Sequence, residues 1–368
     1  MRARKTIDRL SIKGFKSIQS LENFQVRGLN VLIGANGAGK SNFLSYFQML
    51  RAMASGNLQH WIQKQGDADR ILSFGLKTTG RLTSRIEFGQ DWYEFVLEPM
   101  TGEGLFFSDE RACAGGSAAR VLEFGSGHKE ARLRQHVTAS KPSNVGGNFY
   151  DAISRWRTFH FHDTSDTARV KRKSSLHQGA ALESDASNLA AFLFGIREQA
   201  PDSYEQIRRT VRLAMPFFDD FELSPEMLAT GEEQALLLWR QIDSSYVFHP
   251  GQLSDGSIRF ICLATALLQP DPPSTILVDE PELGLHPYAI TLLGSLLRSA
   301  SERMQVIVST QSVPLINEFT VDDLIVVERE EEASVFKRFT AQEFADWLED
   351  YTLGELWEKN VLGGRPRR

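Results

Sequence analysis

Apolar residues recur along this chain in three rhythms. Period-two alternation over residues 6–18 predicts a half-buried strand that meets a glycine turn. The same alternation returns over residues 81–99, in two runs separated by Gly89-Gln90-Asp91, and predicts a hairpin. Unbroken apolar runs at 29–33, 275–278, 305–309 and 324–327 fit short strands buried on both faces. Helical spacing covers residues 42–53, 186–198, 201–214, 258–268 and 288–299. Apolar strands alternating with helices predict an α/β fold around a parallel-rich sheet covered on both sides. Residues 235–239 predict one further strand, and the tail a last strand and a helix at 341–348. Residues 108–150, rich in Gly, Ser and Ala, predict meandering strands and loops. No internal repeat and no sustained heptad is present.

Between the strand at 29–33 and the helix at 42–53 lies Gly34-Ala35-Asn36-Gly37-Ala38-Gly39-Lys40-Ser41, a G-x-x-x-x-G-K-S phosphate-binding loop in the strand–loop–helix setting that it requires. Glycines let successive amides turn inward, and the helix N-terminus adds partial positive charge. The expected nucleotide contacts are Asn36, Gly37, Ala38, Gly39, Lys40, Ser41 and Asn42. Lys40 would reach the β- and γ-phosphates of ATP, and the Ser41 hydroxyl would ligate Mg²⁺.

A second cluster closes the buried run 275–278. Asp279 and Glu280 stand at the strand's C-terminal end, where ligands bind in open α/β sheets. Asp279 would hold Mg²⁺, and Glu280 would orient and deprotonate the attacking water. A third, Leu253-Ser254-Asp255-Gly256-Ser257, opens the helix at 258–268. Alone it is a helix cap, with Ser254 or Asp255 as N-cap. Lying between the phosphate loop and the acidic strand, it resembles the L-S-G-G-Q signature of the ABC-type ATPases.

That resemblance implies a P-loop NTPase head with a parallel-rich central sheet, an antiparallel β lobe and a small helical insertion. It also implies a homodimer that sandwiches two ATP molecules, each signature (Ser254, Asp255, Gly256) completing the partner's nucleotide site. Glu282-Leu283-Gly284-Leu285-His286-Pro287 looks like the D-loop of that superfamily. Gln311, in Ser309-Thr310-Gln311-Ser312, stands where the family carries its switch histidine; it can hydrogen-bond the γ-phosphate or the water but carries no charge. The opening residues 10–18, the loop Asn-Gly-Ala-Gly-Lys-Ser and the ending Glu-Pro-Glu are similar to the SMC/RecF-like branch. Residues 182–189 and the tail 353–357 resemble compact bacterial ATPases of that branch. A single head is expected over 1–368: a phosphate-loop lobe with antiparallel strands (1–110), an inserted β/helical lid (111–234) and a signature lobe with a strand–helix tail (235–368).

Composition narrows the setting. The net charge of −6 offers no global attraction to nucleic acid, although local basic patches remain open. Cys113 and Cys262 form no C-x-x-C pair, which suits a reducing compartment, and no run of roughly 20 apolar residues is present to span a bilayer. A cytoplasmic protein without a membrane is expected. Three weaker motifs stand outside this scheme. His160 and His162 on one strand face invite a metal but lack further ligands. Arg169, Lys171, Arg172 and Lys173 form a basic loop, expected to be exposed, that could touch DNA or RNA phosphates. Gln63 and Gln65 are candidates for the superfamily's Q-loop. The output is either DNA repair through nucleic-acid binding or regulation of a separate effector, such as a nuclease in antiphage defence. The alternative to a turning-over enzyme is a slow or inactive nucleotide-dependent scaffold.

Overall fold

The computed structural model describes residues 6–115, 120–133 and 145–364. The chain opens with a hairpin, β1 (Arg9–Phe15) and β2 (Ile18–Gln25), followed by the fully buried β3 (Leu29–Ile33). Three helices come next: α1 (Lys40–Ala54), α2 (Leu58–Gln65) and the short α3 (Ala68–Ile71). The expected hairpin forms as β4 (Leu82–Phe88) and β5 (Asp91–Pro99), and β6 (Leu105–Ala114) and β7 (Arg120–Glu123) extend it. These strands make one antiparallel sheet in the order β2-β1-β4-β5-β6-β7. Residues 105–114 and 120–123 are therefore more regular than the expected meander. The rest of that weakly periodic region, 116–119 and 134–144, lies outside the described residues.

After α4 (Val145–Ser154), β8 (Arg157–Phe159) enters the second large sheet. An inserted region then carries β9 (Ser174–Ser175), α5 (Leu189–Gln199) and α6 (Pro201–Ala214). The strands β10 (Phe218–Glu222), β11 (Glu226–Met227), β12 (Glu233–Ala235), β13 (Leu238–Gln241) and β14 (Val247–Phe248) complete it. The run 235–239, expected as one strand, is split. Ala235 ends β12, which pairs with β11 and β9, while Trp239 belongs to β13, which pairs with β10 and β14. A tight bond from Leu238 N to Leu236 O, at 2.8 Å, makes the break. Apolar periodicity cannot register such a turn, because Leu237 is buried in spite of it.

The return to the core runs α7 (Asp255–Leu268), β15 (Thr275–Asp279), α8 (Pro287–Ser301), β16 (Gln305–Ser309), α9 (Val313–Ile316), β17 (Leu324–Glu330) and β18 (Ala333–Lys337). The order β18-β17-β3-β16-β15-β8 is parallel except for the β17–β18 hairpin. Its strands face two separate cores. Val31, Val278, Val308 and Val326 pack with the helical side, and Leu32, Leu277, Ile307 and Ile325 with α1 and the antiparallel sheet. This double burial explains why the central strands read as unbroken apolar runs. The tail differs from the single helix expected at 341–348. A 3-10 turn at Ala341–Phe344 leads into α10 (Ala345–Asp350), and α11 (Leu353–Glu358) follows, started by a Thr352–Glu355 capping box.

Candidate functional site

The phosphate loop leaves the C-terminal edge of β3 through positions where a side chain has no room. A Cβ on Gly34 would lie 2.2 Å from the Val327 carbonyl, and one on Gly39 (φ 112°) would lie 1.9 Å from Ser334 Oγ. Gly37, also left-handed at φ 78°, faces open space. Gly39 caps α1 without any side-chain hydrogen bond, so the first amides of that helix remain available to a ligand. Lys40 is buried, and its Nζ donates to the carbonyls of Gly34 (2.7 Å) and Ala35 (3.0 Å). Burial lowers its pKa from the ordinary value, opposed by the nearby carboxylates of Glu280, Asp279 and Glu282. A floor of small polar groups supports the loop: Ser334 Oγ bonds Ser17 Oγ and the Ala38 carbonyl, each at 2.6 Å, and Asn42 Nδ2 donates to Ser17 at 2.7 Å. Neither Ser17 nor Ser334 carries a motif in the sequence; only the crossing of β18 over the loop reveals them.

The acidic strand β15 lies between β16 and β8, and the Ser309 hydroxyl donates to Asp279 Oδ1. Glu280 takes the left-handed conformation (φ 43°), a strain of about 1–3 kcal/mol for such a residue. Its amide is anchored on Ser309 O at 2.9 Å. Gln311 Nε2 donates to Glu280 Oε1 at 3.0 Å and also to Asn36 Oδ1 of the phosphate loop. Two expected catalytic residues and one expected nucleotide contact therefore meet. Glu282, read from sequence only as the start of a loop, is buried beneath them. Its Oε1 accepts from Thr310 Oγ1 and from the Gln311 amide, while Oε2 has no partner among the described residues. Burial raises its pKa above the ordinary carboxylate value, and Glu280 adds to the rise.

The signature residues stand apart from this cluster. Ser254 is the N-cap of α7, accepting from Ser257 N at 3.1 Å, and both Ser254 and Asp255 are exposed. Among the described hydrogen bonds, none joins residues 254–257 to residues 36–42. Gly256 packs against the following loop, where a Cβ would come 2.3 Å from the Gly284 carbonyl. Arg259, one turn on, donates to Leu283 O and to the carbonyls of Phe161 (2.8 Å) and His162 (3.1 Å).

The weaker motifs resolve differently. His160 follows Phe159, which is opposite Val278, and so comes beside Asp279; its ring nitrogen bonds Gln48 at 2.9 Å. Burial lowers its pKa, while Asp279 opposes the shift. Among the described residues no group of three or more His, Cys, Asp or Glu could hold a metal ion. Gln65 accepts from Lys16 Nζ at 2.8 Å and Gln63 is exposed, so neither is drawn toward the carboxylates. The expected exposed basic loop is partly closed. Arg169–Lys171 is a 3-10 turn in which Val170 and Lys171 are buried, and Arg169 and Lys173 pair with Asp185 and Glu226. Lys171 Nζ lies 3.8 Å from Asp166 Oδ1, and a lysine's aliphatic stem can be buried while its charged end stays near water. No helix of the described residues is long and apolar enough to cross a membrane.

The Mg²⁺ and ATP expected here fit the residues present. The open space at Gly37, the uncapped amides of α1, the exposed Ser41 hydroxyl and the Asp279 carboxylate make a set suited to phosphate and a hard cation. A family model described as "AAA domain, putative AbiEii toxin, Type IV TA system" matches residues 29–317. Among solved structures, an SMC head bound to the C-winged helix domain of ScpA superposes with a TM-score of 0.53 at 16% identity, covering 92% of this chain and 99% of that one. An SMC head with an extended coiled coil, bound to the C-terminal domain of ScpA derived from Pyrococcus furiosus, gives 0.53 at 15% identity, covering 94% and 98%. No curated protein matches. The fold is that of an SMC head.

Proposed function

The chain belongs to this AAA-domain family, and on that premise we propose that it hydrolyses ATP as a homodimer closed by nucleotide, and so controls a separate effector. One observation carries the reading: Gln311 bridges Asn36 of the phosphate loop and Glu280 of the acidic strand, while Ser254 and Asp255 are left exposed for another copy.

Lys40 and the amides of residues 37–41 bind the phosphates of ATP, exchanging the Lys40 contacts with Gly34 and Ala35 for phosphate oxygens. Ser41 and Asp279 hold Mg²⁺, which when bound offsets charge on the transferred phosphoryl group. Glu280 orients the attacking water and takes its proton. Gln311 gives up a bond to Asn36 or Glu280 to hold that water or a γ-phosphate oxygen; being neutral, it adds no positive charge to the transition state. Ser254 and the backbone at Gly256 of the partner copy close the far side of the triphosphate. Hydrolysis removes the γ-phosphate that both copies grip, and the pair opens.

The family description, with its toxin–antitoxin vocabulary, supports defence as the setting. Phosphate release by the purified protein, together with its mass with and without ATP, tests the proposal. A monomer at saturating ATP and Mg²⁺, with no phosphate released, overturns it.

A further inference from the structure

A second cavity, of about 520 Å³, lies between the last turns of α1, helix α2 and the outer edge of β8. Its volume falls in the range of about 300–1,000 Å³ that small-ligand sites occupy. The lining is unusual for this chain. Acidic residues outnumber lysine and arginine overall, 47 to 41, yet none of the eleven lining residues is acidic. Arg51, His60, Lys64 and His160 all face the space, and Trp61 supplies an aromatic wall. His60 and Lys64 stand exposed at the mouth.

Arg51 is the telling residue. Its guanidinium is half-buried and makes no hydrogen bond or ion pair among the described residues, although Glu183 is near enough to attract it. Burial lowers its pKa, and the same is true of Arg157, which Arg51 and Arg155 further disfavour by repulsion. A half-buried guanidinium with no carboxylate or carbonyl bonded to it keeps its donors free for an arriving anion, which it can hold by charge-assisted hydrogen bonds. Lys16 adds to the positive field, its ammonium lying 5.6 Å from the Trp61 ring centre while bonded to Ser45 and Gln65.

We propose that this cavity binds a nucleoside phosphate, with Arg51 and Lys64 holding the phosphate and Trp61 stacking on the base. A bare phosphate would leave most of the space empty and would not use the indole. The unit is either a free nucleotide or one nucleotide of a single strand passing the open mouth, since both present the same chemistry. The site is separate from the phosphate loop but shares α1 with it, and His160 in its wall stands beside Asp279. Occupancy is therefore placed to reach the hydrolytic cluster.

The test uses the full chain carrying Lys40→Ala, which removes the phosphate loop as a competing site. A labelled single-stranded oligothymidylate is followed by fluorescence anisotropy, and AMP and inorganic phosphate are offered as competitors. Oligonucleotide binding that AMP displaces far better than phosphate is expected for a strand-binding site. Direct AMP binding by calorimetry with no oligonucleotide binding assigns the free nucleotide instead. Adding Arg51→Gln weakens either ligand by about tenfold or more, the scale of one lost charge-assisted hydrogen bond. Lys64→Glu, at an exposed position where folding is not at stake, weakens it likewise and lowers the salt slope of strand binding by about one or more. No binding of either probe, equal competition by phosphate and AMP, or binding unchanged by both substitutions overturns the inference. None of these outcomes depends on ATP hydrolysis.

Discussion

Gln311 donates to Glu280 across a gap of 3.0 Å and so ties the loop after β16 to the carboxylate at the tip of β15. The same amide reaches Asn36, so one neutral side chain spans the phosphate loop and the expected base. Removing it frees the Glu280 carboxylate from this bond and unties it from Asn36. Gln311→Ala is expected to lower kcat by about 10–100-fold with little change in ATP affinity, as for loss of one group that positions water. Steady-state phosphate release against nucleotide affinity from calorimetry separates the two effects.

Glu280→Gln keeps the shape and the Gln311 contact but removes the base. Turnover should fall by about 10²–10⁴-fold, the contribution of a positioned proton acceptor. ATP should then hold the dimer in light scattering long after the wild type has come apart. Hydrolysis at the wild-type rate would assign the proton transfer to another group.

Ser254→Arg places a bulky charge on the exposed tip of α7, where it touches neither the loop nor the core of its own protomer. Binding of a fluorescent ATP analogue by the monomer should be unchanged, while ATP-dependent dimerisation and turnover are lost. Should the dimer persist with normal hydrolysis, the signature has no role across an interface.

Gly39→Ala is expected to disable the loop by steric means alone. Its φ of 112° is foreign to alanine, and the added methyl would meet Ser334 Oγ. A loss of about 1–3 kcal/mol in chemical denaturation is expected, together with loss of ATP binding. Ser334→Gly in the same chain removes the nearest clash but leaves the methyl 2.8 Å from Ser17 Oγ and leaves the dihedral strain, so it should restore only part of the stability.

Glu282 gives the apo protein a pH dependence whose sign is fixed by burial. Its folded pKa lies above the ordinary value of 4.5, so the native state favours the protonated form. That contribution to stability is complete below the unfolded pKa and is lost as pH rises through the folded one. Glu282→Gln should therefore melt higher than the wild type at neutral pH, with the gap shrinking toward pH 4. A gap that widens on acidification would mean the carboxylate is stabilised as an anion.

Much of this site could be read from residue order because each motif is local. Residues 34–41 and 275–280 carry both their backbone demands and their chemistry within a few positions, and the unbroken apolar runs announced a doubly covered sheet. What escaped was set by contacts between distant segments. Ser17 and Ser334 meet beneath the phosphate loop although 317 positions separate them. Glu282 looked like a loop residue until Thr310 closed over it. Residues 235–239 read as one strand because a turn that keeps Leu237 buried leaves no gap in hydrophobicity. Lys171 looked solvated because its charge, and not its aliphatic stem, dominates its appearance in a sequence. Arg51 gave no sign at all, since an arginine in the last turn of a helix is ordinary until its surroundings prove, among the described residues, to hold no hydrogen-bond or ion-pair partner.

The phosphate loop is finished by pieces made late. Ser334 braces Ala38 from β18, and the Ala35 amide donates to Gly364 O at 2.7 Å. A chain emerging from the ribosome therefore carries its glycine-rich loop for some three hundred residues before the supports exist, and nucleotide capture waits for them. Cleavage near residue 340 would fall between those two braces, keeping Ser334 on the loop's fragment and putting Gly364 beyond the cut, so the tail's share in shaping the phosphate loop can be separated from that of β18.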